Sequence, residues 1–452
     1  MTKRIITLLL AIAMLFSMCA LAGCDKGGNG GTTGGNSSGA IGLSAAEEEF
    51  FLDMPEELSG TKVKFATWID HTQTDTATCI SGFEETTGMK LELVSVNQND
   101  YISKVTSLIA SDQAPDVVVD VYEFPRTLNL LMPLEVETTG LDVTDPFWNQ
   151  NVVKRYTVGK YCYLVNGAKS SWDMVGGLTY YNKTVLEENG IVTPHELIEQ
   201  NNWNIDSMWT LMEQMKGACG FSRPGASISV DIWINMFGGG QMAWDVETDT
   251  FKTTIKSEQT KKAIDYLMRA KDAGLAEPID SHDNDITTGA MALQIAGGYG
   301  LRKSPGWFYT MDIDDLAFAV LPKINKNDAE YPYTANTRGY GICKGSKNPK
   351  GAAYFLRFFL NEANYDMDQI FKNQEAKNLY LELREKQELN KISMTMGIGR
   401  VTDPSYTSLT MMKDVLNGTA AQVSVNLEKS YNKCESSVKV ANKYVADVIA
   451  AQ

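Results

Sequence analysis

The chain has 452 residues, 41 Lys and Arg against 56 Asp and Glu, and a formal net charge of −15 at pH 7. That length exceeds one hydrophobic core and suits about two lobes. The excess of negative charge argues against nucleic acid or an acidic membrane surface as partner. Beyond the N-terminal segment no apolar run reaches the roughly 18 residues of a membrane-spanning helix.

The first element begins with Lys3 and Arg4, continues as a mostly apolar run from Ile5 to Phe16, and closes on Leu21-Ala22-Gly23-Cys24. A basic start, a short apolar stretch and small residues at a cut site predict an export signal. The stretch is too short to cross a bilayer as a helix. Small side chains at Ala22 and Gly23 open the bond before Cys24 to a peptidase. This arrangement resembles the lipobox of bacterial lipoproteins, which implies a lipid on Cys24. Residues Asp25–Ala40 hold seven glycines and almost nothing that packs. They read as a flexible tether reaching roughly 20–24 Å, so function belongs to the body beyond about residue 45.

The body starts with repeated strand–helix units. Val63–Trp68 alternates as a strand. Thr74 or Asp75 caps a helix with Ile80 and Phe83 on one face, and Gly88 stops it. Lys90–Val96 is a second strand. A helix starting at Asn99 or Asp100 carries Tyr101, Val105, Leu108 and Ile109 at i, i+4, i+7 and i+8. Ala114-Pro115-Asp116 then turns into the buried strand Val117–Val119. Alternating units predict a parallel sheet with helices on both faces, and ligands in such sheets sit beyond the strands' carboxyl ends. Topology alone therefore marks Trp68, Asp70, His71, Asp120 and Tyr122. The C-terminal part reads as helical, from Met411 to Leu416 and again from Gln422 to Ile449.

Chemical motifs are sparse. Besides Cys19 and Cys24 there are Cys79, Cys162, Cys219, Cys343 and Cys434, with no CxxC pair, so neither a disulfide framework nor a zinc site is indicated. The histidines are His71, His195 and His282, with no HExxH spacing and no GxSxG elbow. His195 reads as an exposed helix start. Gly238-Gly239-Gly240 lacks the Lys-Ser/Thr of a phosphate loop and reads as a turn. Asp280, Asp283 and Asp285 form an acidic loop without the glycine and terminal glutamate of a calcium-binding EF-hand loop. No cofactor is expected.

Further motifs follow in a familiar order: Phe83-Glu84-Glu85, Ala114-Pro115-Asp116-Val117, Leu178–Lys183, Glu187–Ile191, Gly274-Leu275-Ala276, Gly289–Ala292, Gly297-Gly298-Tyr299, Val320–Lys323 and Lys344–Pro349. Together they resemble extracellular solute-binding protein family 1, the maltose-binding-protein-like receptors of ABC importers. The resemblance covers roughly residues 60 to 360. It implies an α/β, type II periplasmic-binding-protein-like fold, with two hinged lobes closing on a ligand. The lobes are expected at 45–176 with 338–380, and at 177–337 with 381–452. Crossings fall near Gly176-Gly177, near Thr337–Gly339 and past residue 362; at the first two, glycine permits a hinge's backbone change.

The resemblance also implies a non-enzymatic monomer that captures a small polar solute, expected to be a mono- or oligosaccharide, and passes it to a membrane permease. A sugar site needs flat aromatic faces and planar hydrogen-bonding groups. Trp68, Trp172, Trp233, Trp244, Tyr299 and Trp307 are the aromatic candidates. Asp70 and Asp120 are the hydroxyl acceptors, Tyr122 lies beside them, and Arg338 is a bidentate donor. Arg400 is a further donor, whereas Trp148, Trp203 and Trp209 read as structural. The alternatives are an anchored glycoside hydrolase with paired carboxylates, or the same fold carrying a peptide, polyamine or anion.

Overall fold

The computed structural model describes residues 45–72, 76–121, 123–170, 174–221, 224–279, 286, 291–303, 314–333, 335–336, 338–386 and 415–452. Along the chain the strands are β1 (Lys62–Thr67), β2 (Lys90–Ser95), β3 (Val117–Val119), β4 (Thr157–Val158), β5 (Tyr161–Cys162), β6 (Met174–Val175), β7 (Leu178–Asn182) and β8 (Ala226–Ser229). They continue as β9 (Met242–Asp245), β10 (Thr250–Thr253), β11 (Ala276–Ile279), β12 (Leu293–Ala296), β13 (Leu316–Ala319), β14 (Ala335–Asn336) and β15 (Tyr340–Ile342).

Two larger sheets organise two lobes. The first has the order β15-β3-β1-β2 and the second β11-β8-β12-β7-β13. Each contains one antiparallel strand among parallel ones: β15 runs against β3, and β7 runs against both β12 and β13. Those two are the strands entered directly after the chain passes from one sheet to the other. At the passage β6 and β14 pair antiparallel as a short ribbon, Ala335 opposite Val175 and Asn336 opposite Met174. This is the α/β two-lobed architecture expected from the sequence.

Local signals account for most elements. The helix Ala77–Thr87 ends at Gly88, whose φ of 70° is the left-handed conformation that glycine adopts without a Cβ penalty. Its N-cap is Thr76, and the expected caps Thr74 and Asp75 lie outside the described residues. Asn97 accepts a hydrogen bond from the Asn99 backbone and opens the turn leading to the helix Tyr101–Ala110. Around His195, the Thr193 cap and Glu196 form a reciprocal capping box for the helix Pro194–Glu199.

In the first lobe, an aromatic core joins sheet to helices. Phe65 of β1 packs against Phe355 and Phe359 of the helix Pro349–Phe359, and Phe83 meets Phe355 and Phe358. Burying each such ring contributes about 1.5–3 kcal/mol. In the second lobe, Trp203 is fully buried and donates from Nε1 to the Val320 carbonyl at 2.9 Å. Cys79, Cys162, Cys343 and Cys434 are buried free thiols, as expected of small apolar residues, while Cys219 is half-buried.

The helix Val423–Ala450 buries Leu427, Cys434, Val438, Ala441 and Val445 along one stripe. Asn442 on it satisfies the backbone of Phe251 in β10, accepting from its N–H at 2.6 Å and donating to its carbonyl at 3.1 Å. Gln452 beyond the helix accepts from the Lys160 backbone N–H and donates to the Val158 carbonyl, holding the β4–β5 turn. The β9–β10 hairpin reaches the same region: Glu247 pairs with Lys154, and Asp249 accepts from the Gly159 N–H. No helix among the described residues is long and apolar enough to cross a membrane.

Candidate functional site

Trp68 follows the last residue of β1, and Tyr299 lies three residues beyond the end of β12. The two residues therefore come from the carboxyl ends of strands in different sheets. Arg338, between the β14 crossing and β15, lies between them. Its guanidinium carbon stands 5.0 Å from the centre of the Trp68 ring and 6.0 Å from that of Tyr299. Its Nη2 donates to the Tyr299 hydroxyl at 2.8 Å. All three side chains are half-buried. Three residues widely separated in sequence thus form one cation–aromatic junction between the lobes.

Neighbouring buried groups hold this junction in place. The fully buried Tyr101 hydroxyl donates to the Ala66 carbonyl at 2.8 Å and accepts from the Val119 N–H at 3.1 Å, tying the ends of β1 and β3 together. Its ring meets Trp68 edge-on at 5.8 Å. On the other side, Asn166 is fully buried and donates from Nδ2 to the Arg338 carbonyl at 3.0 Å. Gly339, next in the chain, has its Asp120-facing carbonyl accepting from the Asp120 N–H at 2.9 Å. A Cβ on Gly339 would stand 2.6 Å from Leu164 Cβ and 2.9 Å from Tyr156, and one on Gly177 would stand 2.3 Å from Ile232. Close packing requires glycine at these two positions.

Asp120 differs from its expected role as a hydroxyl acceptor. It is buried, and Oδ1 accepts from the Glu123 N–H at 3.0 Å and the Thr127 hydroxyl at 2.6 Å, while Oδ2 accepts from Tyr156 at 3.3 Å. Desolvation raises its pKa against those hydrogen bonds and the charge of Arg155. Glu123 is also buried and bonded to Arg126 at 3.0 Å. The carboxylates beyond β3 therefore brace their own loop, and Asp120 also ties that loop to Tyr156. A buried carboxylate needs such partners, and sequence spacing does not reveal them.

The remaining candidates separate by environment. Asp70 is exposed and folds back on Thr72, accepting from its N–H at 3.0 Å and its hydroxyl at 2.6 Å; these bonds lower its pKa. His71 is buried against Phe65, with its ring nitrogens near the Thr67 and Thr76 hydroxyls at 3.3 and 3.0 Å. Desolvation, with the nearby Arg302 charge, brings its pKa down to about 4. Trp233 does not reach the junction: it is fully buried in the second lobe against Tyr266 at 4.8 Å and Phe237 at 5.6 Å. Its place on a helix inside the lobe gives it core packing, a correction to the expected cleft contact. Trp244 is half-buried between Phe124, edge-on at 5.6 Å, and Phe251 at 4.6 Å, where hairpin meets first-lobe loop. Tyr122, Trp172, Trp307, Arg400, Cys24 and the Asp280–Asp285 loop lie outside the described residues.

The residues bracing the junction that sequence reasoning missed are Tyr101 and Asn166. The helical spacing places Tyr101 only on the apolar face of a helix, and nothing in the sequence near Asn166 marks it. Among the described residues no group of three or more His, Cys, Asp or Glu is placed to hold a metal ion.

Residues 78–368 match the family model described as bacterial extracellular solute-binding protein. The chain belongs to that family. As a member of it the protein is an extracytoplasmic receptor rather than an enzyme, the solute-capturing component of an ABC importer, with a small polar ligand held between its lobes. At the level of sequence alone, no curated protein matches it. Solved structures share the fold at low identity. The galacto-N-biose/lacto-N-biose I-binding protein of Bifidobacterium longum is 15% identical with a TM-score of 0.61, over 84% of this chain and 98% of that one. The sugar-binding protein MalE of Xanthomonas citri is 13% identical with a TM-score of 0.57, over 85% and 98%. The maltose/maltodextrin-binding domain of Bdellovibrio bacteriovorus, solved with maltotriose, is 16% identical with a TM-score of 0.56, over 84% and 100%.

Proposed function

We propose that this solute-binding protein captures a mono- or oligosaccharide at the Trp68–Arg338–Tyr299 junction and delivers it to its permease from a lipid anchor on Cys24. The junction carries the reading, because it joins both lobes at the strand ends through two aromatic rings and a planar donor. Apolar sugar faces stack on such rings, while hydroxyls hydrogen-bond to the guanidinium and phenol. The saccharide cargo of the structural neighbours supports the same class. The lobes are taken as 45–176 with 338–380 and 177–337 with 381–452, the β6–β14 ribbon acting as the hinge.

A thermal-shift panel of sugars, peptides and polyamines tests the cargo. A bound saccharide at 100 times its Kd adds about 2.7 kcal/mol of stability. A response confined to peptides or polyamines, or cleavage of an oligosaccharide, would overturn the reading. Labelled palmitate should enter the wild-type chain and be absent from Cys24→Ser; label on that variant would remove the anchor.

A further inference from the structure

We propose that the β9–β10 hairpin and the end of the helix Val423–Ala450 form an interlobe strap, which holds the lobes in the solute-gripping arrangement ahead of binding. Both elements are rooted in the second lobe. At the hairpin's foot the Gly240 N–H donates to Thr260 Oγ1 at 2.9 Å. Thr260 lies on the helix Glu258–Asp272, whose Tyr266 packs on Trp233. Asn442 bonds both backbone groups of Phe251, and Cys434 Sγ donates to the Gln241 carbonyl at 3.3 Å. Hairpin and helix are therefore one body.

That body reaches the first lobe at three places. Trp244 and Phe251 set their ring centres 5.6 and 6.1 Å from that of Phe124. Asp249 accepts from the Gly159 N–H at 3.0 Å. Gln452 accepts from the Lys160 N–H at 3.0 Å and donates to the Val158 carbonyl at 2.7 Å, while Lys160 Nζ donates to the Gln452 carbonyl at 2.9 Å. The receiving segment belongs to the first lobe, because Val165 and Tyr340 of β15 exchange backbone hydrogen bonds at 2.8 Å and Tyr156 bonds Asp120 beyond β3. These contacts lie outside both the β6–β14 ribbon and the Trp68–Arg338–Tyr299 junction. Two bodies joined through a ribbon turn about it, and a second attachment away from the ribbon restrains that turn. The junction indicates which arrangement is held, since rings from both lobes already stand within 6.0 Å of one guanidinium carbon. Holding it before a solute arrives keeps the competent fraction high and raises apparent affinity.

Single-molecule energy transfer on the full chain without solute tests the strap. Dyes are coupled to p-azidophenylalanine in place of Ser81 and Thr210, both exposed, on a helix of the first and of the second lobe respectively. The parent chain should give one narrow distance population. Asp249→Gly with Gln452→Ala should broaden or split it, and so should Trp244→Ala; glycine suits the positive φ of 48° at residue 249. A broad or split parent population, or variants indistinguishable from the parent, would overturn the inference whatever the cargo. A second readout rests on the saccharide reading: the sugar found in the thermal-shift panel should bind the variants about threefold more weakly, as the competent fraction falls to about a third. Equal or tighter binding would overturn the inference and leave the saccharide function standing. Silence from every sugar would remove that reading alone, with the distance measurement still deciding the strap. The Asp249→Gly, Gln452→Ala pair removes only polar contacts, so misfolding of Trp244→Ala leaves the test intact.

Discussion

Two arginines in this molecule sit between aromatic rings and serve different ends. Arg357 is buried in the first lobe, its guanidinium carbon 4.1 Å from the Phe50 ring centre and 4.5 Å from that of Phe147. The protein surrounds it with its own carboxylates, Glu47 at 3.1 Å and Asp145 at 2.5 Å, and so fastens the helix Ala45–Leu52 to the helix Pro349–Phe359. Arg338 has the same flanking chemistry, but its rings come from two lobes and the side chain is half-buried. A guanidinium enclosed by one lobe is a fastener. One at the meeting of two lobes lies at the site proposed for a guest.

The largest effects should separate these roles. Arg357→Ala leaves Glu47 buried without its charge partner, so chemical denaturation should show a loss of about 3–5 kcal/mol, while saccharide affinity in the folded protein stays unchanged. Trp233→Ala should cost a similar 3–5 kcal/mol by cavity formation, again without a change in affinity. Trp68→Ala should do the reverse, weakening saccharide binding about tenfold with a smaller loss of stability. If Trp233→Ala lowers affinity as much as Trp68→Ala, the boundary between core and site is misplaced.

A pH effect of intermediate size follows from His71. Its folded pKa of about 4 lies below the ordinary 6.5, chiefly through desolvation and then through Arg302, with Asp70 opposing. Between those values the unfolded chain binds a proton that the folded protein refuses, so stability falls as pH drops from about 6.5 toward 4. The loss should approach a few kcal/mol, and His71→Gln should flatten that part of the profile. The smallest effect belongs to the exposed Lys154–Glu247 pair, where Lys154→Ala should change stability by less than about 1 kcal/mol. A larger value would mean that this contact, rather than the buried groups, holds the β9–β10 hairpin to the first lobe.

The strand–helix units from β1 to β3, the Gly88 stop and the long C-terminal helix were all legible in the sequence, because periodicity and local caps determine them within a few residues. Trp68 was legible as a candidate because it ends a strand, where topology places ligands, whereas Tyr299 and Arg338 became candidates only through the family resemblance and the crossings it implies. Local pattern could not decide whether Trp233 faces a cleft or a core, nor that Asp120 is enclosed by Thr127 and Tyr156. Those outcomes depend on which distant residues arrive next to them. Only the tertiary structure brought residues 68, 299 and 338 to one junction, because a cation between two rings is a contact among chain segments that share no local signal.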